Sequence, residues 1–328
     1  RTLRLIAEQG PDGFYRGAIA ARIAAAAREA GGIMTAEDLA VYRPRLRAPV
    51  LGSYRGHGIV SMPPPSSGGV HLVQMLNILE GFPMGETGFG AAQTMHWMAE
   101  AMRRAYADRS QWLADSDFVD VPLDGLTDEA YADALRATID DFAVTPSEAV
   151  APGDPTAYES AETTHFSVVD GTGNAVANTY TLNFSYGMGM VAEGTGVLLN
   201  NEMDDFAAAP GSANAYGLIG GEANAVAGGK RPLSSMTPTL VMKDGEVFMV
   251  TGSPGGSRII TTTLQVILNV IDHGMNIAEA TAAPRLHHQW QPDMLRVEEG
   301  FSPDTLALLR QRGHTVRQLS AMGSAQSI

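Results

Sequence analysis

Apolar positions keep one rhythm in the first half of the chain and another in the second, and the change falls near residue 163. Before it they recur with helical spacing. Residues 18–29 form an alanine-rich run that closes on Gly31-Gly32, a helix-stop signal, and Thr35-Ala36-Glu37-Asp38 has the form of a capping box. Stretches 50–54 and 57–61 read as short strands. The run Pro63-Pro64-Pro65-Ser66-Ser67-Gly68-Gly69 is a rigid bend that releases into a helix over 70–79. The longest helical run is 91–113, where Met95, Met98, Met102, Tyr106 and Leu113 make a stripe that reads as core rather than as a cofactor box. Another helix is predicted over 128–139. Residues 143–162 are polar, rich in Pro, Ala, Ser and Glu and without a period, and are expected to form an exposed, mobile tail.

From residue 163 the period becomes two. Segments 164–170 and 174–182 flank Gly171-Thr172-Gly173, and 239–242 and 246–251 flank Lys243-Asp244-Gly245, which predicts two hairpins. A strand is expected over 194–200. A loop rich in Gly, Ala and Asn covers 210–221 and offers Tyr216 as a candidate lid residue. An apolar helix over 257–273 ends at Gly274, a second over 303–312 ends at Gly313, and 314–319 returns as strand. There is no internal repeat. Helices first, then strands with helices, imply stacked α and β layers of an α+β protein.

Composition narrows the classes. A 45% apolar and 18% charged chain describes a soluble globular protein, and no apolar run is long enough to span a membrane. A net charge of −14 without a basic tract argues against a nucleic-acid partner. Cysteine is absent, which removes disulfides, thiolate metal ligands and Cys nucleophiles together. Residues 1–7 already read as the inside of a helix with no initiator Met, so the chain is expected to be a piece of a longer protein, and a missing targeting segment carries no information.

Four stretches could carry chemistry. The β-rich half opens on Thr163-Thr164-His165-Phe166-Ser167-Val168-Val169-Asp170. A cut between Glu162 and Thr163 would leave Thr163 with a free amine beside its own hydroxyl, a base and a nucleophile in one residue; a Thr pair at a strand start is otherwise structural. Gly252-Ser253-Pro254-Gly255-Gly256-Ser257 joins a strand to a helix, where outward-pointing amides can hold an oxyanion or simply turn the chain. Ser234 and Ser235, between Pro232 and Pro238, can bind a carboxylate or form a turn. Asn200-Asn201-Glu202-Met203-Asp204-Asp205-Phe206 offers three carboxylates for an ammonium group, a metal or water. His287-His288 has no third ligand at a usual spacing, so no metal is expected.

In this order, together with Ala283-Pro284-Arg285-Leu286-His287-His288-Gln289-Trp290, these runs resemble the small subunit of the γ-glutamyltransferases (glutathione hydrolases) over nearly all of 163–328. Residues 1–162, with the proline bend, resemble the later part of the large subunit. The resemblance implies an N-terminal-nucleophile hydrolase with a four-layer αββα sandwich, cut into two subunits that stay associated as a heterodimer, with 163–328 lacking a final strand. It implies Thr163 as nucleophile and Thr181 as its hydrogen-bonding neighbour and aid to self-cleavage. Asn183, Glu202 and Asp205 would hold the glutamyl head, the acids facing its ammonium, while Ser234 and Ser235 take its carboxylate and Gly255 and Gly256 donate to the oxyanion. Many bacterial family members carry Gln where this chain has Glu202. The arginine that pairs the carboxylate in the family would lie upstream of Arg1. The implied substrates are glutathione, glutamine-like donors and amino-acid or peptide acceptors, with no cofactor, in a periplasmic or extracellular setting. The alternatives are an acylase of the cephalosporin or glutaryl type, and an unprocessed binding scaffold.

Overall fold

Both rhythms become the elements they predict, distributed over two units. The structure, a computed structural model, describes residues 1–154 and 164–328; Thr163 therefore lies outside the described residues. One unit is residues 1–47 with 182–202, the other 48–181 with 203–328. In chain order the helices are α1 (Thr2–Gln9), α2 (Asp12–Tyr15), α3 (Gly17–Glu29), α4 (Ala36–Val41), α5 (Gly68–Glu80), α6 (Met84–Thr87), α7 (Ala92–Trp112), α8 (Leu123–Leu126), α9 (Glu129–Arg136), α10 (Arg258–Ile271), α11 (Ile277–Ala282) and α12 (Pro303–Gln311). The strands are β1 (Val50–Tyr54), β2 (His57–Ser61), β3 (Thr164–Val169), β4 (Ala175–Tyr180), β5 (Val191–Ala192), β6 (Val197–Leu198), β7 (Thr239–Lys243), β8 (Glu246–Thr251), β9 (Leu286–His287), β10 (Leu295–Glu298) and β11 (Val316–Leu319).

The first unit is built on α3. Its Ile19 and Ile23, one turn apart, bury against Ala192, and Leu5, Phe14 and Leu39 pack around them. The predicted capping box forms: the Thr35 hydroxyl accepts from Asp38 N, and the Asp38 carboxylate accepts from Thr35 N. The strand expected over 194–200 is only Val197–Leu198, paired antiparallel with Val191–Ala192.

In the second unit an antiparallel sheet has the order β1-β2-β7-β8. Helix α5 lies against β1 and β2 and packs on α7, α9 and α10. A Cβ on Gly52 would stand 2.6 Å from a Val73 methyl, so β1 reaches α5 only because that position has no side chain. The β3–β4 hairpin lies against β7 and β8. A helix layer, a sheet and a second sheet are thus present in this α+β unit. The face of β3–β4 that carries Phe166, Val168, Val176 and Tyr180 is exposed. A third sheet, β11-β10-β9, packs with α12, α7 and α10.

Both hairpin turns have the chemistry their sequences promised. The Asp170 carboxylate accepts from Thr172 N and Oγ1 and from Asn174 N and Nδ2, which holds it well below the usual carboxylate range. Asp244 and Gly245 both take positive φ, 53° and 86°, as a tight two-residue turn requires. Beyond β11, Gln326 N donates to Gly252 O while Ile328 and Val250 exchange both backbone bonds, so residues 326–328 extend the sheet past β8.

The segment expected as an exposed tail keeps residues 143, 146, 148, 149, 151 and 154 exposed, but it is anchored at several points over its described part. Ser147 and Val150 are buried, and Gly153 is pinned. Trp290 Nε1 donates to Ser147 O at 2.9 Å and Val150 O at 3.0 Å, and Trp112 Nε1 donates to Gly153 O at 3.0 Å. Gly153 N donates to Asp108 Oδ1 at 2.7 Å. The segment has no regular period because side chains distant in sequence, rather than a local ladder, satisfy its backbone.

Candidate active site

The proline bend builds one side of the site. Ser67 N donates to Ser234 O, and Ser234 N donates to Pro65 O, both at 3.0 Å. Ser66 Oγ donates to Met236 O at 2.8 Å. A Cβ on Gly68 would stand 2.0 Å from Met236 O, so only glycine lets the start of α5 close on this segment. The result fixes Ser234 and Ser235 in a buried position, and neither hydroxyl has a hydrogen-bond partner among the described residues. Leaving a buried hydroxyl unpaired costs about 1–3 kcal/mol. Two adjacent donors held this way fit a carboxylate ligand.

Helix α7 links the other parts of the second unit. The Tyr106 hydroxyl donates to Ser257 O, at the end of the glycine turn. One turn on, Arg109 lines a small cavity with Asp205, Phe206, Asn214, Leu218 and Asn224. Asn224 Nδ2 donates to Asp205 O at 2.7 Å and Ala207 N donates to Asn224 O at 2.9 Å, which sets the backbone where the acidic stretch enters the cavity. Tyr216 is half-buried in the adjoining loop: its N–H donates to Asn214 Oδ1, and its carbonyl accepts from Gln289 Nε2. Gly255 and Gly256 take φ of 139° and 66°, a backbone that L side chains rarely adopt, immediately before α10. Thr181 follows the end of β4.

Two predicted residues belong to the first unit. Asn183 has φ 69°, a left-handed conformation Asn tolerates, and its Nδ2 donates to Asn201 O at 3.2 Å. Glu202 begins the 3-10 helix Glu202–Asp205 at the end of that unit, and burial pushes its carboxyl up to about 7. In the second unit α7 therefore reaches the Asp205 cavity through Arg109 and the end of the glycine turn through Tyr106, while Ser234-Ser235 sit on the start of α5; His71 of α5 stacks on Tyr106 with ring centroids 6.1 Å apart.

Sequence reasoning passed over Arg109 and Asn224, and gave Tyr106 only a core role and His165 no role of its own. The one local signal for the first was a charged residue repeated within an otherwise apolar helix. His287 and His288 serve packing: His287 Nε2 meets Gln289 Oε1 at 2.9 Å and His288 Nε2 meets Asp293 at 3.1 Å.

The family model described as Gamma-glutamyltranspeptidase matches residues 1–328. The chain belongs to the gamma-glutamyltranspeptidase family. It is 59% identical over 328 residues to the glutathione hydrolase proenzyme of Escherichia coli (strain K12), covering all of this chain and 57% of that protein. It is 42% identical to the acylase ACY 1 proenzyme of Pseudomonas sp. (strain SE83) over 96% of this chain and 54% of that one. Among solved structures, the cephalosporin acylase from Bacillus halodurans superposes with a TM-score of 0.84 at 31% identity, over all of this chain and 57% of that chain. The chain thus spans a little over half the length of these family relatives. Among the described residues no helix is long and apolar enough to cross a membrane.

Proposed function

We propose that the chain carries the reaction centre of a γ-glutamyl hydrolase/transpeptidase that cuts itself between Glu162 and Thr163. The observation that carries the reading is the pair of buried hydroxyls on Ser234 and Ser235, without a partner among the described residues, in a unit that also buries Asp205. A γ-glutamyl group presents an α-carboxylate beside an α-ammonium. A site built to hydrogen-bond such groups rejects analogues that lack them by large factors. In this reading Ser234 and Ser235 bind the carboxylate, Glu202 and Asp205 face the ammonium, and Asn183 completes the head-group contacts.

The Thr163 hydroxyl attacks the γ-carbonyl as its own amine takes the proton. Gly255 and Gly256 amides donate to the oxyanion. The ammonium then gives its proton to the leaving amine, and the tetrahedral centre collapses to an ester on Thr163. Water hydrolyses the ester, or an acceptor amine takes the glutamyl group, which predicts ping-pong kinetics. Thr181 supports the Thr163 hydroxyl, and Tyr216 covers the site. Glutathione and related amides are the proposed donors. The two cut pieces stay together as a heterodimer, and the periplasmic or extracellular location rests on family resemblance.

Thr163→Ala should leave one full-length band on a denaturing gel and no turnover; normal cleavage in that variant would move the nucleophile elsewhere. An acylase specific for ammonium-free acyl groups is the second reading, favoured by the likeness to two acylases. Comparing glutamyl with glutaryl anilides separates them: the first reading expects the glutamyl compound to win by about 100-fold or more in kcat/KM.

A further inference from the structure

The ring of His165 occupies the space that a Cβ on Gly252 would enter. A Cβ on Gly252 would lie 2.4 Å from His165 Nδ1, 2.5 Å from Cε1 and 2.6 Å from Cγ. The ring is therefore pressed onto the Gly252 backbone. Gly252 does not take a positive φ, so its backbone alone does not demand glycine; the neighbouring ring does. His165 lies two positions after Thr163, on β3, and Gly252 opens the turn that reaches Gly255 and Gly256.

The ring is also fixed in rotation. Nδ1 lies 2.9 Å from Thr179 Oγ1 on the paired strand, and Nε2 lies 3.0 Å from Ser167 Oγ. Ser167 gives its one hydroxyl proton to Gln326 O at 2.8 Å. Its oxygen must then accept from His165, which places the ring proton on Nε2 and leaves Nδ1 to accept from Thr179. Gln326 N in turn donates to Gly252 O at 2.9 Å. Burial lowers the pKa of His165 to about 4, so the ring is neutral at working pH and this pattern holds. Strand β3, the 326–328 segment and the first residue of the glycine turn are bound into one block by a single imidazole.

The geometry points to His165 as a positioning residue: wedged on Gly252, it sets the distance and orientation between strand β3, which directly follows Thr163 in the sequence, and the turn that holds Gly255 and Gly256. This rests on the γ-glutamyl reading above. It touches no substrate and transfers no proton. A nucleophile and its oxyanion donors lie on different segments, and a displacement of about 1 Å between them costs on the order of 100-fold in rate. The lock acts on that separation.

The test is a size exchange. Gly252→Ala should lower kcat by about 100-fold while KM for a γ-glutamyl anilide stays within about threefold, because the head-group residues are elsewhere. His165→Ala alone should lower kcat by about tenfold, through a looser pairing. The double variant G252A/H165A, in which the new methyl enters the vacated space, should recover at least about tenfold in kcat over G252A. Thermal melting checks that each variant is folded, and a denaturing gel checks that each is cut. If cleavage itself stalls in G252A, the fraction cut after a fixed time replaces kcat, and the double variant should restore it. A folded G252A with wild-type kcat, or a double variant no better than G252A, overturns the lock. Activity that survives Thr163→Ala instead overturns the reading beneath it, so the two failures are told apart.

Discussion

Helices α7 and α10 are both central to the second unit, yet they are buried for different reasons. Helix α10, 14 residues, meets the core through Ile259, Ile260, Leu264, Ile267 and Leu268. It keeps one polar row, in which Gln265 pairs with both backbone groups of Leu286, and Asn269 donates to Ala280 O. Helix α7, 21 residues, is buried almost all round and takes Glu100, Arg103, Arg104, Asp108 and Arg109 inside with it. Glu100 pairs with both arginines beside it. Arg103 continues to Asp293 and to the Ser147 hydroxyl, and Asp108 holds Gly153 N. Apolar area places a helix; a buried polar row selects the segment that the helix grips. On α10 that segment is β9 and α11, and on α7 it is the chain leading toward Thr163.

The contrast can be broken by removing each kind of contact. Arg103→Met leaves Glu100 and Asp293 without one of their partners, and should cost about 3–5 kcal/mol in urea unfolding; a loss below about 1 kcal/mol would show that the α7 network is not holding the unit. Leu264→Ala on α10 should cost about 2–5 kcal/mol by cavity formation, with self-cleavage unchanged. Asp108→Ala should cost about 1–3 kcal/mol and, unlike Leu264→Ala, slow the appearance of the two bands, because it frees Gly153. Equal cleavage rates in these two variants would erase the distinction.

Two pH effects sharpen the picture. Burial raises the Asp108 pKa from 3.8 to about 6. The folded state then holds a proton the unfolded state has lost, so this group costs stability as pH rises from about 4 to about 6, by at most about 3 kcal/mol. The stability advantage of wild type over Asp108→Asn should shrink across that window in paired urea titrations. Smallest is Glu202, whose carboxyl gains its charge only as pH rises through about 7. If the charge faces the substrate ammonium, KM should fall as pH rises from 6 to 8, and Glu202→Gln should flatten that slope.

Local pattern was legible where it decided the structure. The run read as 91–113 is the helix Ala92–Trp112, and Lys243-Asp244-Gly245 is the tight turn it promised. Ser234 and Ser235 were readable as a hydroxyl pair, but not that Ser66 and Gly68 would hold them, since those contacts span some 170 positions. Short elements β5, β9, β10 and α11 carry too few residues to show a period. The anchoring of 147–153 was invisible for a related reason: Trp112, Trp290 and Asp108 are ordinary residues in their own segments and become clamps only once the chain is folded.

The pinning of Gly153 sets the length of a leash. Nine residues, 154–162, separate it from Thr163. Fully stretched, a chain of nine residues reaches no farther than about 32 Å. If the bond ahead of Thr163 is cut as proposed, the new carboxyl end at Glu162 stays joined through those nine residues to the anchored Gly153. Under that proposal, cutting and lasting attachment are compatible, because the anchor at Gly153 lies upstream of the cut.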